Sequence, residues 1–98
     1  MTVFSTQLIN IINSIPKGRV SSYGRIAEIA GNPRAARQVS RLLHSSSEKY
    51  GLPWHRVIGS SGNISLKGAA ADLQRQLLES EGIEFDINGK VDMDRYGI

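Results

Sequence analysis

The sequence contains no cysteine, and its 98 residues include only three prolines, one tryptophan and no long apolar run. The missing thiol excludes disulfides, thiolate metal ligands and covalent catalysis through sulfur. No stretch approaches the roughly 18 apolar residues that span a membrane, and the first residues do not have the pattern of an export signal. We therefore expect a soluble, cytoplasmic protein, nucleoid-associated if bacterial, with one domain over residues 1–98.

Positive charge is concentrated in one part of the chain. Residues 17–56 carry eight lysines and arginines against two glutamates, whereas the remainder carries four against seven acidic residues. The net charge of +3 hides this asymmetry. A basic half of this kind favours a polyanionic partner such as DNA. A solvated surface face is the commoner meaning of scattered charge, and it stays open as the alternative.

Apolar residues at helical spacing predict four helices, separated by proline and glycine signals. The first is predicted to end at Ile15 with Thr2 as its N-cap, and the second to run from Tyr23 to Ala30 with Ser22 as its N-cap. The third is predicted over Asn32 to His44 and the fourth over Ala70 to Ser80. In the fourth helix, the residues expected to face inward are Leu73, Leu77 and Leu78. Residues 45–51 are predicted as a loop, residues 57–64 as a hairpin, and residues 83–93 as a second hairpin turning at Asn88-Gly89. The expected fold is mainly α with small β hairpins, a winged helix-turn-helix built on a three-helical bundle.

The third predicted helix has one basic and one apolar face. At 100° per residue, its cationic side chains fall within about 80° of each other, opposite an alanine, valine and leucine face. These side chains are Arg34, Arg37, Arg41 and His44. Tightly joined to the second helix, this helix makes a helix-turn-helix whose recognition helix comes last. An amphipathic surface helix that touches no DNA is the alternative.

Four segments carry a more specific pattern: residues 15–23, 31–39, 53–58 and 77–82. Together they resemble the DNA-binding, active-site domain of the alkyltransferases that remove alkyl groups from guanine in DNA, and the resemblance runs from about Phe4 to Phe85. That family has Pro-Cys-His-Arg where this chain has Pro53-Trp54-His55-Arg56. An indole cannot replace a thiolate nucleophile. The chain therefore resembles the alkyltransferase-like proteins, which are non-enzymatic relatives.

The resemblance implies a function and a set of partners. The protein is expected to bind double-stranded DNA containing alkylated guanine and to flip the damaged nucleotide into a pocket without dealkylating it. It would then flag the lesion for the damage-recognition proteins of nucleotide excision repair. No cofactor and no metal are implied, and we expect a monomer.

Individual site residues follow from the same resemblance. Tyr23 would press on the phosphate 3′ to the target base, and Arg37 would fill the gap that the flipped base leaves. The expected DNA contacts are Tyr23, Arg37, Arg34, Arg41, Ser22 and Ala36; the expected lesion pocket is Trp54, Pro53, Tyr23, Val57 and Lys67. Three simpler interpretations remain open: Tyr23 as a half-buried helix-start residue, Arg37 as one phosphate contact among several, and Lys67 as a solvated loop lysine.

His55 and Glu81 match the acid/base relay of the enzymes. Without a thiol this relay has nothing to activate, so we expect a structural hydrogen-bonded pair. We likewise expect Arg56 to be a structural cation that bonds nearby carbonyls and not a DNA contact. Two other functions are considered. A winged-helix regulator or architectural protein would bind damaged and undamaged DNA alike, and a residual enzyme would use His55 and Glu81 to activate water.

Overall fold

A computed structural model describes residues 2–98, and its secondary structure is mainly helical. The elements in chain order are α1 (Val3–Asn13), β1 (Ser21–Ser22), α2 (Tyr23–Ile29), α3 (Ala36–Tyr50), a 3₁₀ turn (Trp54–Arg56), β2 (Val57–Ile58), α4 (Gly68–Ser80) and α5 (Met93–Tyr96). Thr2 accepts a hydrogen bond from the Ser5 N–H, and Ser22 accepts one from the Arg25 N–H. These two caps are the predicted ones, and they start α1 and α2 where the sequence predicts.

Helix α3 differs from its prediction at both ends. It begins at Ala36 and not at Asn32, because the Asn32 side chain accepts a hydrogen bond from the Arg34 N–H and closes a turn there instead. It then continues through the serine-rich segment that was predicted as a loop and ends at Tyr50, where Gly51 caps it with a φ of +59°. Glycine adopts this left-handed backbone conformation readily, whereas other residues do so at a cost, which explains why the helix stops here.

The predicted hairpin at residues 57–64 is wrong. β2 pairs in parallel with β1, with Ser21 opposite Val57 and Ser22 opposite Ile58. The chain after β2 makes a tight turn, in which the Gly59 N–H donates to the Asn63 carbonyl at 2.8 Å. The second hairpin is present in minimal form, as one antiparallel bridge between Phe85 and Val91.

Two apolar cores lie on either side of this strand pair. Consecutive strand residues point to opposite faces, so the completely buried Val57 joins the core of α1, α2 and α3, while Ile58 joins the core beneath α4 and the tail. Leu73, predicted to face inward, is 48% exposed. Gln74 is buried in its place at 1% exposure.

The final residues return to the start of β1. The Val20 N–H donates to the Tyr96 carbonyl at 2.9 Å, and the Ile98 N–H donates to the Val20 carbonyl at 3.0 Å. Tyr96 is buried in the second core, so the tail is an integral part of the fold. Within residues 2–98, no helix is long and apolar enough to cross a membrane.

Candidate functional site

An open cavity of about 690 Å³ lies between α3, the 3₁₀ turn and the segment that leads into α4. This volume lies in the range of small-molecule sites. Its lining residues are Tyr23, Ser40, Arg41, Leu43, His44, Ser45, Trp54, Leu66 and Ala70. Three of the residues predicted for DNA or lesion binding, Tyr23, Arg41 and Trp54, therefore meet at one cavity.

Trp54 begins the 3₁₀ turn and is half-buried. It packs against the core of α1, α2 and α3 and also lines the cavity. The ring of His55 stands edge-on to the indole, with 6.1 Å between the centroids and 84° between the planes. The indole is thus held in place by the core while offering apolar surface to the cavity.

Tyr23 is the first residue of α2 and lines the same cavity. Its hydroxyl is 3.1 Å from the Ser65 hydroxyl, which ties α2 to the loop before α4. The neighbouring Ser22 is 5% exposed, and its hydroxyl caps α2. Any DNA contact from Ser22 would therefore come from its backbone.

Arg37, Arg41 and His44 form an exposed row on α3, here called the basic stripe. At 100° per residue they fall within about 60° of each other. Within residues 2–98, none of the three makes an ion pair with an acidic side chain. Arg34 is also exposed, but it lies in the turn before α3 and so does not share the helical face. Ala36, the first residue of α3, is half-buried.

The remaining predicted pocket residues lie beside the cavity, not in its wall. Val57 is completely buried in the core, because the direction of β2 turns its side chain away, and its prediction as a pocket residue is wrong. Lys67 is exposed just before α4, and Pro53 is half-buried before the 3₁₀ turn. The wall instead uses Leu66 and Ala70, which the sequence did not single out. The signal in the sequence for Leu66 was a single large apolar residue within a predicted loop.

A network of ionic hydrogen bonds fixes the 3₁₀ turn from behind. The Glu81 carboxylate lies 2.8 Å from His55 Nε2, and it accepts from Arg56 Nη2 at 2.8 Å and Arg56 Nε at 3.0 Å. The Gly18 N–H donates to the same carboxylate at 3.1 Å. Arg56 also donates to the Ile15 carbonyl at 2.9 Å. The predicted hydrogen bond between His55 and Glu81 is present, and Arg56 bonds a carbonyl as expected, although its other partner is the Glu81 carboxylate, which was not predicted for it.

The charge state of Glu81 follows from these contacts. Burial by itself raises the pKa of Glu81, but the hydrogen bonds from Arg56, His55 and the Gly18 N–H outweigh it and lower the pKa to about 2. The carboxylate is therefore ionised at neutral pH. A group with so low a pKa is a poor proton acceptor there.

Gln74 supports the same turn from helix α4. Its side-chain amide donates to the Val57 carbonyl at 2.9 Å and to the His55 carbonyl at 3.2 Å. Ala70 precedes Gln74 by four residues, so the two lie on one face of α4. The helix that provides one cavity wall thereby holds the turn that carries Trp54. One signal in the sequence indicated that Gln74 faces inward: it precedes Leu78, which was predicted to face inward, by four residues.

Within residues 2–98, no group of three or more histidine and acidic side chains is arranged to hold a metal ion. Among the described residues, none that lines the cavity is acidic. The lining combines apolar side chains with cationic and hydroxyl donors.

Comparison with known proteins adds a family. Residues 3–83 match the DNA-binding domain of 6-O-methylguanine DNA methyltransferase. A DNA base-flipping protein of Vibrio parahaemolyticus is 49% identical over 96 residues, which cover 98% of this chain and 96% of that protein. Alkyltransferase-like protein 1 of Schizosaccharomyces pombe is 43% identical over 86 residues, covering 86% of this chain and 80% of that one. A crystal structure of S. pombe Atl1 with DNA containing O6-carboxymethylguanine matches with a TM-score of 0.83 at 37% identity, covering 98% of this chain and 94% of that chain.

Proposed function

Because this chain belongs to the family of the 6-O-methylguanine DNA methyltransferase DNA-binding domain, we propose that it binds double-stranded DNA containing O6-alkylguanine and holds the damaged nucleotide outside the helix. The observation that carries the proposal is the cavity beside Trp54, which opens directly next to the basic stripe. A relative is named a DNA base-flipping protein, and another has been crystallised with DNA that carries an O6-alkylated guanine.

The basic stripe would place α3 against the DNA. A positive row without acidic partners attracts phosphates and releases condensed counterions, which gives affinity without sequence preference. A base in a stacked pair cannot reach a cavity inside the protein, so binding there requires the nucleotide to rotate out. The chemistry of this surface therefore fits a flipped nucleotide better than groove reading alone.

Arg37 is the residue we assign to the gap that the rotated nucleotide leaves. It lies near the start of α3, it is exposed, and it does not line the cavity. Its planar guanidinium can stack between bases and donate to the unpaired cytosine. Tyr23, which lines the cavity, would contact the phosphate on the 3′ side of the lesion.

Trp54 is assigned as the surface that receives the damaged base. Stacking of a base on an aromatic ring contributes about 1 to 3 kcal/mol. Trp54 occupies the place of the nucleophilic cysteine in the Pro-Cys-His-Arg pattern, so the lesion would be bound and not repaired. Handover of the bound lesion to nucleotide excision repair proteins, as the resemblance implies, is part of the proposal.

The test is a comparison of two duplexes that differ only in one O6-methyl group on guanine. We expect tighter binding to the methylated duplex, together with a rise in the fluorescence of a 2-aminopurine beside the lesion as its neighbour unstacks. Arg37→Ala should reduce the preference for the methylated duplex. Lys49→Ala is the matched control, because it removes an exposed cation from the far end of α3, away from the stripe.

Equal binding of wild-type protein to both duplexes would refute the proposal and favour a regulator or architectural protein. If Arg37→Ala weakens binding to both duplexes by the same factor, Arg37 is a phosphate contact only. Release of methanol from the methylated duplex, or a methyl group found on the protein, would establish an enzyme instead.

A further inference from the structure

The lining of the cavity beside Trp54 contains two chemically different groups of residues. The apolar ones are Leu43, Trp54, Leu66 and Ala70, which suit a purine ring or an alkyl chain. The polar ones on α3 are Ser40, Arg41, His44 and Ser45. A purely apolar adduct would leave these polar residues without a partner.

Arg41 and His44 differ in position from the other cationic side chains near the site. Both line the cavity, whereas Arg34 and Arg37 are exposed outside it. Within residues 2–98, neither Arg41 nor His44 has a hydrogen-bonding or ionic partner on its side chain. Their donor groups are therefore free to meet a ligand in the cavity.

Apolar residues in the same cavity lining strengthen the interaction of these donors with an anion. Electrostatic attraction increases as the effective dielectric constant falls, and apolar surface next to a bound base excludes water. A guanidinium binds a carboxylate through two parallel hydrogen bonds, which a neutral amide cannot match in strength. Ser40, Ser45 and the His44 ring can supply further polar contacts to the same group.

We propose, resting on the function above, that this cavity selects O6-alkylguanines whose alkyl chain ends in an anion, such as a carboxylate. The alkyl chain and purine lie against Trp54 and Leu66, and the terminal anion is bound by Arg41 with the His44 N–H as a second donor. Arg41 and His44 are the specificity-determining residues. Arg34 and Arg37 contribute to DNA binding without discriminating among adducts.

Three duplexes of one sequence test this, containing O6-carboxymethylguanine, O6-carbamoylmethylguanine or plain guanine. The first two adducts have nearly the same shape and differ by one negative charge. At about 0.15 M salt, which screens long-range attraction, we expect the carboxymethyl duplex to bind about fivefold to tenfold more tightly than its amide counterpart. Arg41→Gln should bring that ratio close to one, and His44→Gln should lower it.

Arg34→Gln is the matched control, since it removes one exposed cation outside the cavity and should weaken all three duplexes equally. Circular dichroism establishes that each variant is folded, which is expected because Arg34, Arg41 and His44 are exposed. If wild-type protein binds both adducts equally but more tightly than guanine, the inference is overturned and the proposed function stands. If all three duplexes bind equally, the proposed function itself fails. If Arg41→Gln weakens all three equally, Arg41 is a phosphate contact and the inference is overturned.

Discussion

Replacement of Glu81 by glutamine is the sharpest test of how the site is held together. The carboxylate joins the end of α4 to two other parts of the chain, the backbone at Gly18 and the turn that contains His55 and Arg56. Glutamine keeps the size of the side chain but removes its charge. It would leave the Arg56 guanidinium, which is mostly buried, without its anionic partner.

The size of the effect follows from the pKa of Glu81, which is about 2 in the folded protein against 4.5 for an ordinary glutamate. Each unit of difference corresponds to about 1.4 kcal/mol, so the ionised carboxylate contributes about 3 kcal/mol to the free energy of unfolding. Since the folded pKa is the lower one, this stability is fully present above about pH 4.5. It is lost as the pH falls towards about 2.

The assay is urea unfolding followed by circular dichroism between pH 7 and pH 2. At pH 7, Glu81→Gln should be less stable than wild-type protein by about 3 kcal/mol, and the two curves should converge as the pH approaches 2. Glu79→Gln is the control, because Glu79 is half-exposed and its ion pair with Arg75 is 3.5 Å long. A surface pair of this kind contributes about 0 to 1 kcal/mol. A constant difference between wild-type protein and Glu81→Gln over the whole pH range would refute the reasoning.

The remaining predictions concern Gln74, which holds the 3₁₀ turn, and two glycines that differ in their surroundings. Gln74→Leu removes two hydrogen bonds to carbonyls and should lower the free energy of unfolding by about 1 to 3 kcal/mol, whereas Gln76→Leu on the exposed face of the same helix should change it by less than about 0.5. A Cβ at Gly62, where φ is +87°, would lie 2.1 Å from the Val91 carbonyl oxygen, so Gly62→Ala should lower the melting temperature. Gly24→Ala, in a helix with open space around the new methyl group, should raise it. Equal Gln74 and Gln76 effects, or the same sign for both alanine variants, would contradict these arguments.

The parts of the fold that depend on neighbours in sequence were predictable. The capped starts of α1 and α2 and the Asn88-Gly89 turn follow from side chains that bond to backbone groups two or three residues away. The end of α3 could not be predicted in this way, because a serine-rich segment has only a weak helical preference of its own. The helix continues there with Ser46 and Ser47 half-buried, until Gly51 ends it.

The parts that depend on distant residues were predicted poorly. The parallel pairing of Ser21 with Val57 joins residues that are far apart in sequence, and nothing in either two-residue strand identifies its partner. For the same reason Val57 was assigned to the pocket, although it faces the core. The cavity wall at Leu66 and Ala70 depends on where α4 packs. His55 and Glu81 were paired correctly only because a family pattern supplied the long-range contact.

The same network bears on whether any catalysis remains. A residual hydrolase would need His55 and Glu81 to take a proton from water, yet Glu81 has a pKa of about 2 and already accepts from Arg56 and the Gly18 N–H. Its role with these partners is to anchor His55 and the turn that carries Trp54. In the proposed function the indole of Trp54 binds the base and does not react with it, and this role needs the anchor but no proton transfer. Loss of the Glu81 charge, in contrast, weakens the support of the cavity itself, so lesion binding should depend on Glu81 although no proton is transferred.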